Sequence, residues 1–196
     1  MNPLVIPEAH KAVAHQFTDR AGSPVTVRLA VEDDAEALIA FIKQVDAETT
    51  FLSREPGEFT VPVPQERMLI RQTNARRNSI YMVAEVDGAI AATLDFHGGT
   101  RERTMHAGEF GMSVKRAYWG RGLGSHLLDT MIAWARETGQ IKRIKLRVQA
   151  GNERAIALYR SRGFLDEGVL DREFRVRGQW VDVLMMALWL EGPEGA

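Results

Sequence analysis

The 196-residue chain contains no cysteine. That absence rules out disulfides, thiolate metal sites and any covalent intermediate carried on a cysteine. An excess of one charge is also missing: 25 Lys and Arg stand against 26 Asp and Glu, for a formal net charge of −1, and no long basic run occurs. Such a balance argues against general binding to nucleic acid or to anionic membranes, so small molecules or a specific peptide are the expected partners. No apolar run reaches membrane-spanning length. The start, Met1-Asn2-Pro3-Leu4-Val5-Ile6-Pro7-Glu8, lacks the basic beginning and apolar stretch of a secretory signal, so the expected compartment is the cytoplasm. The five histidines are scattered without His-Glu-x-x-His spacing, and no catalytic metal is expected.

What the chain does have is enough apolar residue, 45%, for one well-formed core, which fits a single domain over 25–190 with an N-terminal extension (1–24) and a short tail (191–196). The Pro, Gly and mixed polarity of the extension suggest an arm lying on the surface or on a second subunit, which leaves a homodimer open. Val25 to Val31 alternates like a half-buried strand, and Asp33 with Glu36 spells a capping box ahead of Leu38, Ile39, Ile42 and Val45. Phe51 to Gln65 carries three prolines and a glycine and reads as a long connection before a helix over Glu66 to Arg76. Ser79–Val86 and Ala89–Phe96 are strands joined by Asp87-Gly88, a type I′ turn signal. A strand over Glu109–Lys115, an amphipathic helix from Leu123, a strand over Ile141–Gln149 and a helix from Asn152 to Gly163 follow, with a final hairpin of Glu167–Val176 and Trp180–Leu190.

The most informative stretch is Tyr118-Trp119-Gly120-Arg121-Gly122-Leu123-Gly124-Ser125, between a strand and a helix. Glycines at such a turn bring successive N–H groups to a ligand, and the helix points its positive dipole end the same way, which suits a pyrophosphate. A P-loop needs Gly-Lys followed by Ser or Thr, and no such triplet occurs. A dinucleotide fingerprint needs its third glycine one position later and an acidic residue after the next strand, where this chain has Ala150-Gly151-Asn152.

Trp119-Gly120-Arg121-Gly122-Leu123-Gly124 resembles the pyrophosphate motif Gln/Arg-x-x-Gly-x-Gly/Ala of the GNAT N-acetyltransferase superfamily, with tryptophan in place of the usual first residue. Downstream, Asn152-Glu153-Arg154-Ala155 through Tyr159 to Gly163-Phe164 is similar to the family's second signature, Asn-x-x-Ala-x-x-x-Tyr-x-x-x-Gly-Phe. The resemblance runs more weakly from about Val25 to Leu190. It implies an α/β fold, a mixed and mostly antiparallel sheet of about seven strands with helices on both faces and a V-shaped splay that holds the cofactor. It also implies acetyl-coenzyme A as acyl donor and transfer of the acetyl group straight to a primary amine.

By position, the resemblance assigns the pantetheine arm to the backbone of Met112, Ser113 and Val114. It gives the pyrophosphate to the backbone of Arg121, Gly122, Leu123, Gly124, Ser125 and His126, with Arg116 and Arg121 adding charge. Asn152 is expected both to cap its helix and to touch the cofactor. Tyr159 is the expected acid for the departing thiolate, since a phenol stays protonated while it waits. Glu109 is the candidate base, with His106 a weaker one, and each also fits an ordinary surface role. The acceptor walls would come from Phe41–Gln65 and Asp166–Val183, with Glu48, Glu55 and Glu58 available to a cationic amine. The Arg172–Trp180 hairpin looks similar to that of ribosomal-protein and polyamine acetyltransferases, so a small molecule and a peptide or protein N-terminus both remain open as acceptors. A non-catalytic acyl-coenzyme A sensor and a dinucleotide oxidoreductase are the alternatives.

Overall fold

The computed structural model describes residues 7–11 and 13–190. Its centre is one eight-stranded sheet in the order β1-β2-β3-β4-β5-β6-β8-β7. The strands are β1 (His15–Thr18), β2 (Pro24–Leu29), β3 (Ser79–Val86), β4 (Ala89–Gly98), β5 (Ala107–Val114), β6 (Arg143–Gln149), β7 (Leu165–Val176) and β8 (Gln179–Trp189). Every neighbouring pair is antiparallel except β5 with β6. Helices α1 (Glu8–Lys11), α4 (Leu123–Glu137) and α5 (Glu153–Arg160) cover one face, and α2 (Ala35–Glu48) and α3 (Val63–Asn74) cover the other.

The strand alternation decides which face each residue serves. Ile80, Met82, Leu94, Phe96 and Phe110 join Leu127, Met131 and Trp134 of α4 in the larger core, whereas Tyr81 and Val83 meet Leu38, Phe41 and Ile70 on the opposite face. With both faces covered, β3 is buried almost throughout and reads as a continuous apolar run. Asp87 and Gly88 both adopt positive φ, 51° and 74°, as the type I′ hairpin requires.

Local readings shift in two places. The Asp33–Glu36 capping box does not form: a 3-10 turn over Glu32–Asp34 leads into α2, and the neighbouring Asp34 carboxylate instead accepts the Val31 N–H at 2.7 Å and both Arg28 end nitrogens at 2.7 and 2.8 Å. The next helix starts at Val63 rather than Glu66, because Pro64 sits in its first turn, where a missing N–H costs nothing.

The described part of the extension packs on its own chain, and β1 adds an eighth strand at the sheet edge. His10 is buried beneath it. Trp134 Nε1–H donates to His10 Nδ1 at 3.4 Å, which leaves His10 Nε2–H to donate to the Ser79 carbonyl at 2.9 Å. Among the described residues no helix is long and apolar enough to cross a membrane. The 191–196 tail and residues 1–6 lie outside the described residues.

Candidate active site

The sheet opens where its one parallel pair ends. β5 and β6 are in register only at Ala107↔Arg143, Gly108↔Ile144 and Glu109↔Lys145, and then diverge, β5 continuing to Val114 and β6 to Gln149. On its other edge β5 stays paired with β4 through Met112↔Leu94, Ser113↔Thr93 and Val114↔Ala92. One edge of Phe110–Val114 therefore lacks a strand partner, a row of backbone donors and acceptors facing a wedge-shaped cleft. The Val114 carbonyl is an exception, because Trp119 Nε1–H donates to it at 2.7 Å. That indole lies under the Arg154 and Arg116 guanidiniums, 5.4 and 6.0 Å from its ring centroid, so tryptophan at this motif position anchors the loop at the cleft mouth.

At the end of β5 the chain turns through Arg116–Tyr118 into the glycine loop. Gly120 and Gly122 take φ of 80° and 99°, a left-handed backbone that side chains resist, and Gly122 is the residue that starts α4. The first helical hydrogen bond runs from the His126 N–H to the Gly122 carbonyl at 3.1 Å. The N–H groups of Leu123, Gly124 and Ser125 precede it and point along the axis into the cleft mouth with the helix dipole behind them. Gly124 lies over β5: a Cβ there would be 3.5 Å from Met112 Cε and 3.6 Å from Val114 Cγ2.

Two expected contributors are turned elsewhere. The Arg121 guanidinium reaches back to the arm, where Nε donates to Asp19 Oδ2 at 2.7 Å and an end nitrogen donates to Ser23 Oγ at 2.8 Å, and it also covers the Tyr118 ring. Its charge braces the loop, and its backbone N–H, expected at the pyrophosphate, donates to the Tyr118 carbonyl at 3.3 Å. The His126 N–H is taken by Gly122, and its imidazole stacks on Phe17 at 3.6 Å, where burial lowers its pKa. The arm completes this brace through the Arg20 N–H, which donates to the Arg121 carbonyl at 3.1 Å. Glu48, expected near the acceptor, instead accepts the Arg116 N–H at 2.6 Å and ties the end of α2 to the loop, while Glu58 accepts the Glu55 N–H at 2.9 Å.

Across the cleft, Asn152 caps α5, its Oδ1 accepting the Ala155 N–H at 3.3 Å. Tyr159, the last residue but one of α5, is 8% exposed and packs edge-on against Phe110 at 5.7 Å and tilted against Phe164 at 5.9 Å. Burial alone pushes its pKa up to about 12. Its hydroxyl makes no protein hydrogen bond among the described residues.

The face away from α4 is ionic. Glu109 Oε1 accepts from Arg147 Nε at 2.9 Å, joining β5 to β6 across the point where they part, and Glu173 stands 3.9 Å from the same guanidinium. Asp95 and His97, two apart on β4 and so on this same face, are 2.9 Å apart, and His97 is the cross-strand partner of Glu109. Gln149 Nε2 donates to the Thr50 carbonyl at 2.8 Å and ties the far arm of the wedge to the loop after α2. His106 falls in the turn before β5, its carbonyl bound by the Lys142 and Arg143 N–H groups. Asp19, Asp95, His97, Arg147 and Gln149 carry no motif. Only the Asp95-x-His97 alternation within a strand pattern hinted that two polar side chains share a face. No group of three or more potential metal ligands occurs among the described residues.

Residues 49–164 match the family model described as the acetyltransferase (GNAT) family. The chain is 29% identical over 165 residues to the L-amino acid N-acetyltransferase AaaT of Escherichia coli K12, covering 84% of this chain and 98% of that one. A GNAT-family acetyltransferase from Streptococcus pneumoniae superposes with a TM-score of 0.82 at 31% identity, over 84% of this chain and 99% of its own. A putative acetyltransferase from Salmonella typhimurium, solved with acetyl-coenzyme A, shares the fold at a TM-score of 0.76 and 22% identity, over 87% of this chain and 96% of its own. The open edge of β5, the glycine turn aimed at its end and these likenesses lead to one conclusion: the chain belongs to the acetyltransferase (GNAT) family and is an acyltransferase.

Proposed function

We propose that this protein moves an acetyl group from acetyl-coenzyme A directly to a primary amine, in a small molecule or at a peptide or protein N-terminus. The observation that carries this reading is the unpaired edge of β5 ending at the N-terminus of α4. An extended pantetheine arm would add to Met112, Ser113 and Val114 as a strand, and its pyrophosphate would meet the N–H groups of Leu123, Gly124 and Ser125. Two left-handed glycines leave that approach free of side chains: a Cβ on Gly120 would meet nothing within 4 Å.

In the same reading Tyr159 donates to the leaving sulfur from the opposite wall. At a pKa of about 12 the phenol is always protonated. A thiol near 8.5 is the stronger acid, so the phenol acts by donating a hydrogen bond that strengthens as negative charge builds on sulfur in the transition state. Glu109 takes the acceptor's proton through water while Arg147 fixes its orientation. With no cysteine in the chain, the acceptor attacks the thioester itself.

A thermal-shift panel of acetyl-coenzyme A, NAD and NADP, followed by thiol release over an amine library, tests this. Stabilisation by acetyl-coenzyme A and intersecting initial-velocity lines are expected. Stabilisation by NAD alone, or parallel lines with a trapped acetyl-enzyme, would refute it.

A further inference from the structure

On the ionic face a row of residues crosses three strands and ends at the cleft. Tyr81 on β3 stands opposite Asp95 on β4, and Asp95 stands opposite Gly111 on β5. Glu66, from the first turn of α3, closes the inner end, with its carboxyl against the Tyr81 hydroxyl and in the field of Asp95. It is 1% exposed, yet its Oε1 has no hydrogen-bond partner. Burial first, and then the Asp95 charge, raise its pKa. The guanidinium whose charge reaches Tyr81, that of Arg54, is held two-pronged by Asp46 at 3.0 and 3.1 Å, and His97 Nε2 lies 2.9 Å from Asp95 Oδ2, so among the described residues it is the Glu66 carboxyl that has no basic side chain against it. The outer end of the row is bare, because a Cβ on Gly111 would stand 3.2 Å from Asp95 Oδ1 and glycine leaves that space empty beside the free edge of β5.

A sealed, unpartnered carboxylate oxygen behind a second carboxylate is a poor arrangement for an empty protein. It suits one that receives a cation, because a positive group placed at Asp95 offsets the repulsion between the two acids and brings hydrogen-bond donors to both. We infer that Glu66, Tyr81 and Asp95 form the subsite for the acceptor's protonated amine, with Asp95 touching the ammonium and Glu66 a positioning residue behind it. The acceptor class is then a cationic alkyl amine, not a neutral arylamine or an alcohol. This rests on the acyl-transfer reading, since the row ends where the acyl donor's arm would lie.

The test is calorimetry on the whole protein saturated with coenzyme A, with spermidine, butylamine and trialanine amide as cationic probes and 1-butanol as the neutral one. At least one cationic probe binds and 1-butanol does not. Asp95→Asn weakens that probe about tenfold or more, or about 1.4 kcal/mol. Glu66→Gln, which keeps the side-chain volume, reduces the preference for cation over alcohol several-fold, while both variants keep wild-type affinity for coenzyme A. Unchanged probe binding in Asp95→Asn, or no binding by any cationic probe, overturns the subsite. Coenzyme A binding that survives in that case leaves the acyl-transfer reading standing, and its absence from the wild-type protein would instead bring down that reading.

Discussion

The two sides of the central sheet meet the cleft with different material. Toward α4 the cleft is made of backbone: an unpaired strand edge, a helix end and glycines whose lack of a side chain is their contribution. Toward α2 and α3 it is made of charged side chains contributed by four strands and a helix, among them Glu66, Asp95, Glu109 and Arg147. A donor held through backbone needs a fixed chain path, whereas an acceptor held through side chains can be changed by substitution on an unchanged sheet. The proposed division is therefore open to being broken one side at a time.

The largest effect should come from Tyr159→Phe, which removes one hydroxyl and keeps the ring that packs on Phe110 and Phe164. Turnover should fall by ~10²–10⁴-fold in steady-state assays while acetyl-coenzyme A affinity hardly moves. Turnover like that of the wild type would assign Tyr159 to the core and leave water as the proton donor.

Next in size is Gly122→Val. The backbone at φ 99° must be held left-handed by a branched residue, at a cost of about 1–2 kcal/mol, and its Cβ would stand 3.9 Å from Arg20 Nε and His126 Cδ2, so the turn that sets the first N–H groups of α4 is disturbed. Calorimetry should show acetyl-coenzyme A binding reduced by on the order of tenfold or more, with α4 still formed by circular dichroism. Gly124→Val should act likewise by pressing on Met112 and Val114. If both bind normally, the backbone account of the donor side is wrong.

A smaller and more selective effect is expected from Arg121→Ala. Losing the contacts to Asp19 and Ser23 loosens the arm's hold on the glycine loop, leaving the Arg20 N–H on the residue 121 carbonyl, so KM for acetyl-coenzyme A should rise several-fold with kcat unchanged. An equal fall in kcat would mean that the Arg121 charge acts on the reaction itself.

The smallest effect is one of pH. His10 and His126 both have pKa values lowered by burial, so the unfolded chain binds their protons more readily than the folded one. Their contribution to stability is complete above the unfolded value of about 6.5 and is lost as pH falls below it toward the folded values. Since one packs on Trp134 and the other on Phe17, limited proteolysis of the arm should accelerate in that window, and a rate independent of pH would contradict it.

The same contrast explains what could be read in advance. Gly120, Gly122 and Gly124 sit at fixed spacing in one stretch, and Asn152 and Tyr159 belong to one short helix and its cap, so the glycine turn and the strand and helices flanking it were legible from local pattern. The acceptor side was not, because Glu66, Tyr81, Asp95 and Gly111 come from separate elements and meet only through cross-strand register. Arg121 and Glu48 went astray for the same reason: each satisfies a partner from a distant segment, Asp19 and the Arg116 N–H, which no local spacing reveals. The arm was misjudged in extent because β1 is only four residues long, too short for its alternation to stand out.

Amide hydrogen exchange with and without acetyl-coenzyme A tests the central claim most directly. Ligand-dependent protection is expected along the free edge of β5, at the Met112 and Val114 amides, and at 123–125 in the first turn of α4. Protection confined to other segments, with those two stretches unchanged, would contradict it.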